Sequence, residues 1–469
     1  MDILIRERRA LARRWMLLAA SALAASGLLA FGVVSARVPV LARLLTDTDL
    51  ARRVLVVHVD LGVVVWFAAL PVALFHLAAA GGRRAGRLAA VAPWLAAAGA
   101  VALGSGLIPG WGRPHTVNYV PLVDQPLFVA GLLLFAAAVV LSYLDRELLP
   151  LAGSSGAPGA DDDGPVASTL RAHRGFLRLG AASTLLALAV LAVAYVRLSA
   201  AGDVAAAYEQ LLWGCGHVLQ LATVAFVLVA WALLAAAGTG RPVAAGAAAR
   251  VALGLLTVAA LSVTALLAAH PAGWRYHSGY AQLMRWGLFP SLVIFLGFVI
   301  VPHLRAHRNR PRDAVARALW PLAASSILML AGLLYGTLIR GSDLRIPGHY
   351  HATIGSVTLA YMALSLLLLP SSAGADRTTA RATFRDRALG RVAALYGSGQ
   401  LFFSTGLMVA GTFGLGRKIY GVDQVLSGPG QRMGVALMAI GGILALAGGV
   451  TWAASLLSLL RADRPDRPA

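Results

Sequence analysis

Residues 346–370 read IPGHYHATIGSVTLAYMALSLLLLP, two histidines at the head of a segment that carries no charged residue before Pro370. At ~1.5 Å of rise per residue, about 20 such residues cross the ~30 Å hydrocarbon core of a bilayer as one helix. The same pattern recurs along the chain, at 15–36, 54–80, 88–109, 126–146, 176–199, 208–237, 248–270, 280–302, 315–339, 348–370, 389–413 and 431–460. With 59% hydrophobic residues, 13% charged residues and a mean hydropathy of +0.75, the chain is too apolar for a soluble globular protein. The expected fold class is all-α, a polytopic bundle of twelve transmembrane helices forming a single membrane domain over residues 1–469.

Between the spans the chain is short and polar. The longest connection, 147–175, centres on GSSGAPGADDDGP and is expected as a flexible cytoplasmic loop, and residues 461–469, RADRPDRPA, as a tail. The leader RERRALARR precedes an apolar run longer than the core of a secretory signal, so the first span is expected to be retained. The formal net charge of +20 would suggest nucleic acid in a soluble protein. Here the 40 Lys and Arg divide about two to one between alternate loops, which places both termini in the cytoplasm by the positive-inside rule. No nucleic-acid partner is expected; the surrounding partner is lipid. The single cysteine, Cys215, excludes a disulfide framework, covalent haem attachment through a CxxCH motif and a cysteine-rich metal cluster.

That orientation gives each polar residue a depth. Even-numbered spans run inward, so His58 (VLVVHVDLG) lies a turn or two below the outer surface, and His217 (WGCGHVLQ) two to three turns down the sixth span. His349 and His351 begin the tenth span, and His270 (LLAAHPAG) ends the seventh. Five histidines thus fall in the outer part of the membrane, where polar side chains are costly unless they have a partner. Neutral imidazole is a ligand for iron, copper and zinc. Successive helical side chains are ~100° apart, so His349 and His351 point ~200° apart, and one helix can serve a planar cofactor on each flank.

Taken together, these residues resemble the catalytic subunit I of the haem-copper oxidase superfamily, which includes terminal oxidases and nitric oxide reductases. The resemblance spans essentially the whole chain. It implies that His58 and His351 are the axial ligands of a low-spin haem and that His349 is the proximal ligand of a high-spin haem. It also implies that His217 and His270 hold one copper or non-haem iron, and that Arg417 and Lys418, in GLGRKIYGVDQ, hold the haem propionates. His349, His217 and His270 would then be the catalytic set, and both haems would be b-type. The implied activity is that of an oxidoreductase of bacterial respiration in the inner membrane, moving electrons from a cytochrome c-type or cupredoxin-like donor to dioxygen.

Several positions depart from the family's pattern. The second of two consecutive histidines on the seventh span is Pro271 here, and His277 in the following loop is the candidate replacement. The sixth-span position that carries a tyrosine in oxygen-reducing members, or a glutamate in nitric oxide reductases, is Leu221, and the seventh span has no tyrosine. Three alternatives therefore stand beside the oxidase reading: a nitric oxide reductase, a non-catalytic haem electron-transfer subunit, and a twelve-helix transporter without cofactor.

Overall fold

The structure is a computed structural model, and it describes residues 2–37, 47–79, 86–144, 164–198, 204–307, 318–369, 379–417 and 425–462. Among these residues twelve helices are long and apolar enough to cross a membrane. In chain order they are α1 (Arg6–Val34), α2 (Thr48–Ala78), α3 (Arg87–Leu107), α4 (Pro126–Tyr143), α5 (Arg174–Arg197) and α6 (Ala206–Thr239). They continue with α7 (Ala247–Leu266), α8 (Trp274–Ala306), α9 (Leu319–Thr337), α10 (Arg345–Leu368), α11 (Arg381–Thr412) and α12 (Pro429–Arg461). The expected all-α class and the number of spans are borne out, and the chain is a multi-pass membrane protein. A backbone in hydrocarbon must satisfy its own hydrogen bonds, which is why every span is a helix. Large apolar side chains such as Leu28, Val101, Val196 and Ile443 stand exposed on the helix surfaces, as lipid-facing residues do.

Boundaries differ from the expected ones where polar residues extend a helix. The first helix begins at Asp2, because Arg, Glu, Ala and Leu in the leader are good helix formers despite their charge. A two-turn helix, Pro165–Ala172, occupies part of the segment expected as a loop, and it buries Thr169 and Leu170. Residues 145–163 and 463–469, the remainder of the expected loop and most of the tail, lie outside the described residues. The seventh span stops at Leu266 rather than at 270, and the eighth begins at Trp274 rather than at 280. Pro271 has no amide hydrogen to continue the ladder and Gly273 adopts an extended conformation as N-cap.

The chain forms two compact units. One comprises residues 1–18, 67–105 and 111–310; the other comprises 19–66, 106–110 and 311–469. In the first unit, α3 and α4 meet through Gly99 and Gly131, where a side chain on Gly99 would lie 2.7 Å from the Gly131 carbonyl. Two short strands, β1 (Pro114–His115) and β2 (Leu122–Val123), pair antiparallel in the connection between these helices. In the second unit, the Trp66 ring packs edge to face on Tyr361 of α10 (6.0 Å) and on Trp452 of α12 (5.8 Å). The Trp452 indole nitrogen donates to the Ser365 hydroxyl at 2.9 Å, which ties α12 to α10.

The seam between α11 and α12 is built on glycine. A Cβ at Gly399, Gly406, Gly434, Gly441 or Gly448 would collide with backbone atoms of the facing helix. Lipid tails are as apolar as the side chains, so helices in a bilayer associate through close van der Waals packing, and small residues permit it.

Three spans are far more enclosed than the others. The most apolar window is 72% buried in α2, 83% in α6 and 72% in α10, against 50% or less in the remaining nine, and these three carry His58, His217 and the His349–His351 pair.

Candidate functional site

In the second unit, α2 places His58 against α1. The His58 Nδ1–H donates to the Ser26 carbonyl at 2.9 Å, and the Ser26 hydroxyl donates back to the His58 carbonyl at 2.8 Å. A π-helical turn over Asp60–Val65 follows directly. It interrupts the regular ladder, as such bulges do near functional sites. Gly62, within this turn, makes the approach possible, since a Cβ there would lie 2.5 Å from the Ser26 hydroxyl. With Nδ1 committed to a carbonyl, Nε2 is the nitrogen left to hold a metal, the arrangement that orients most ligating imidazoles. Ser26→Ala removes the hydroxyl, which donates to the His58 carbonyl and lies 3.1 Å from Nδ1, and keeps the carbonyl acceptor. The expected cost is ~1 kcal/mol, read as a lower melting temperature in detergent.

His349 is held in the same manner from the first turns of α10. Its Nδ1 donates to the Gly332 carbonyl of α9 at 2.7 Å. The ring lies on the α9 backbone because Gly336 has no side chain: a Cβ there would stand 3.0 Å from Nδ1. His351, half a turn further, packs edge-on against Phe403 of α11 (4.9 Å, 72°) and beside Tyr350. The two imidazoles therefore leave α10 toward different neighbours, as the i, i+2 spacing requires.

The Trp66–Tyr361 contact ties α2 to α10 below these histidines. His58 precedes Trp66 by ~12 Å along its helix and His351 precedes Tyr361 by ~15 Å. Both spans are even-numbered and run the same way, so His58 and His351 stand within about one helical turn of a common level. These imidazoles, two of them oriented by backbone carbonyls, are donors of the kind that would hold haem iron.

At the head of α10 the chain is clasped by charge. Arg345 donates to both Asp343 carboxylate oxygens, at 3.0 and 3.1 Å from Nε and 2.6 Å from a terminal nitrogen, and also to the Arg340 carbonyl. The segment after α11 is pinned here too, because the Leu344 amide donates to the Leu415 carbonyl at 3.1 Å and Asp343 bridges Gly416. Arg417 is thereby set beside the entry to the histidine-bearing turns; Lys418 lies outside the described residues. Burial pushes the Asp343 carboxyl up, but the hydrogen bonds and charge of Arg345 outweigh it and hold it below the ordinary carboxylate range. Its stabilising contribution is thus present above the unfolded carboxylate pKa of ~4 and is lost as pH falls through the lower folded value. Melting temperature should fall on acidification more steeply in the wild type than in Asp343→Asn, which already lacks the charged pair.

In the first unit, His217 is buried on α6 in an aromatic box. Its Nδ1 donates to the Trp213 carbonyl at 2.7 Å, and the Tyr119 hydroxyl lies 3.0 Å from Nε2. The Trp213 ring packs against the imidazoles of both His217 (4.7 Å) and His277 (4.8 Å), and Tyr280 lies 5.8 Å from His217. Of the two further ligand candidates, His277 is thus the nearer neighbour. It stands in the first turn of α8 rather than in a loop. His270 is exposed in the turn after α7, where its Nδ1 accepts from the Ala272 amide at 3.2 Å. Among the described residues no group of three or more His, Cys, Asp or Glu is arranged to hold a metal ion. The donor set around His217 therefore does not fit the expected copper or non-haem iron.

Tyr119, Ser26 and Phe403 had no signature in the sequence, because loop folding and helix pairing bring them to the histidines. One further acidic residue, Asp60, lies two positions beyond His58. It heads the π-turn of α2, fully buried, with neither carboxylate oxygen in a hydrogen bond.

No protein-family profile matches the chain. An uncharacterized protein of Aquifex aeolicus (strain VF5) is 27% identical over 360 residues, covering 76% of this chain and 83% of that one. A haem-copper terminal oxidase dimer, solved by cryo-electron microscopy, superposes with a TM-score of 0.69 at 16% identity over 98% of this chain and 85% of the oxidase chain. The fold is that of a haem-copper oxidase subunit I-like bundle.

Proposed function

We propose that the chain is a haem-copper oxidase-like respiratory subunit of the bacterial inner membrane, with both termini cytoplasmic. His58 and His351 would hold a low-spin b-type haem and His349 a high-spin one, and these groups, when bound, would supply the redox chemistry that links a cytochrome c-type or cupredoxin-like donor to dioxygen. The observation that carries this reading is the pair of imidazoles, His58 and His349, each oriented by a backbone carbonyl and left with Nε2 for iron. When bound, a six-coordinate haem supplies electron transfer and a five-coordinate one an open position for a diatomic molecule.

The protein's own contribution is orientation. Ser26 sets the plane of the His58 ring, the Gly332 carbonyl sets that of His349, and Phe403 confines His351. Arg417, with Lys418, suits the propionates as a charge-assisted donor. Lipid-facing walls admit dioxygen and keep bulk water from the reacting centre.

A second reading is favoured by the aromatic box around His217: a haem subunit that carries electrons without a two-metal centre. A reduced-minus-oxidised spectrum of the purified full chain tests both readings. Bands of low-spin and high-spin haem b are expected, with carbon monoxide shifting only the high-spin component. A chain purified from haem-replete cells without any haem band refutes both readings and leaves a transporter.

A further inference from the structure

We propose that this chain holds no metal at His217, because Tyr119 takes the imidazole lone pair that a metal would need. The argument starts from the tautomer. A backbone carbonyl only accepts, so the 2.7 Å contact to Trp213 places the ring proton on Nδ1. A neutral imidazole then has one lone pair, on Nε2, and the Tyr119 hydroxyl at 3.0 Å is directed there as a donor. The phenol proton occupies the coordination position.

Tyr119 is held in place by features independent of that bond. It lies in the segment joining β1 to β2, and it is the one residue besides glycine with a left-handed backbone among the described residues, at φ 70°. Non-glycine residues adopt that conformation only where the surroundings enforce it. The side-chain amide of the preceding Asn118 donates from Nδ2 to the Glu209 carboxylate at the start of α6. The Tyr119 ring lies on Gly216, where any Cβ would strike it, and meets Trp213 edge to face at 6.2 Å. A glycine next to the histidine therefore makes room for a phenol ring.

The remaining donors do not restore a site. A copper or non-haem iron centre with an open position takes three or more protein ligands. Among the described residues His277 is the one other imidazole against the aromatic box, on Trp213 and Tyr276, and His270 is turned to its own backbone in an exposed turn. Tyr276 and Tyr280 complete the wall with edge-to-face rings 4.8 Å apart. The inference does not depend on the haem reading. With that reading it means that any gas chemistry rests on haem iron alone.

Metal analysis of the purified full chain, before and after anaerobic incubation with Cu(I) or Fe(II), tests the proposal. Haem content is measured on the same sample, so failure of the haem reading shows separately. Iron matching haem iron, with no stoichiometric copper, is expected. Stoichiometric copper or non-haem iron that is lost in His217→Ala overturns the proposal; metal that persists in that variant lies elsewhere and leaves it standing. Should His217→Ala not fold, 15N NMR of ring-labelled histidine in the wild type and in Tyr119→Phe decides. A buried imidazole with Nδ1 protonated, whose Nε2 resonance moves in Tyr119→Phe, supports the hydrogen-bonded pair. Resonances identical in the two proteins overturn it.

Discussion

His351→Ala should abolish the low-spin haem band completely while carbon monoxide still binds the reduced high-spin haem. His351 reaches toward Phe403 and His349 lies on α9, so removing one imidazole leaves the other with its Gly332 acceptor intact. His58→Ala should produce the same spectrum, but it also deprives the Ser26 carbonyl of its donor and is therefore the less clean of the two. The reciprocal variant, His349→Ala, should keep the low-spin band and lose carbon monoxide binding. A ligand held only by the folded state adds ~4 kcal/mol at a thousandfold excess over its Kd, so loss of a haem should also lower the melting temperature markedly. Unchanged low-spin bands in both His351→Ala and His58→Ala would falsify the axial assignment.

The second large effect is expected away from the histidines. Gly441→Leu places a side chain against the backbone of α11, whose nearest atoms are the Phe403 amide nitrogen and the Gly399 carbonyl oxygen. Overpacking a tight core costs about 1–3 kcal/mol when side chains can shift. Here the obstacle is main chain, so ~3 kcal/mol or more is expected, seen as loss of monodisperse protein on size exclusion. Because the Phe403 ring confines His351, any folded fraction should show a displaced low-spin band. Gly449 lies on the same helix, with no heavy atom within 4 Å of its would-be Cβ. Gly449→Leu should therefore be tolerated, and equal damage from both substitutions would show that the seam is not the cause.

Both predictions depend on parts of the molecule that were unequally visible beforehand. Runs of apolar residues at bilayer length forced helices, and the spacing of His349 and His351 required two different neighbours. These are local consequences of helix geometry, and one chain segment suffices to read them. The neighbours themselves were not legible. Ser26 is an unremarked serine in the first span, and only the missing side chain of Gly62 brings it to His58. The breaks after α7 and before α8 were displaced by a few residues because polar aromatic turns such as WRYHSGY lower the hydropathy without ending a helix.

By itself the sequence determined the class of this protein: hydrophobic length dictates how many times the chain crosses a bilayer, and the depth of the histidines follows from the rise of a helix. Which atom each imidazole faces was decided only by tertiary structure, since the carbonyls of Ser26 and Gly332 and the hydroxyl of Tyr119 come from distant segments. An imidazole has one lone pair to give. Its use for iron or for a phenol proton depends on what the folded chain sets against it, and residue type alone does not carry that information.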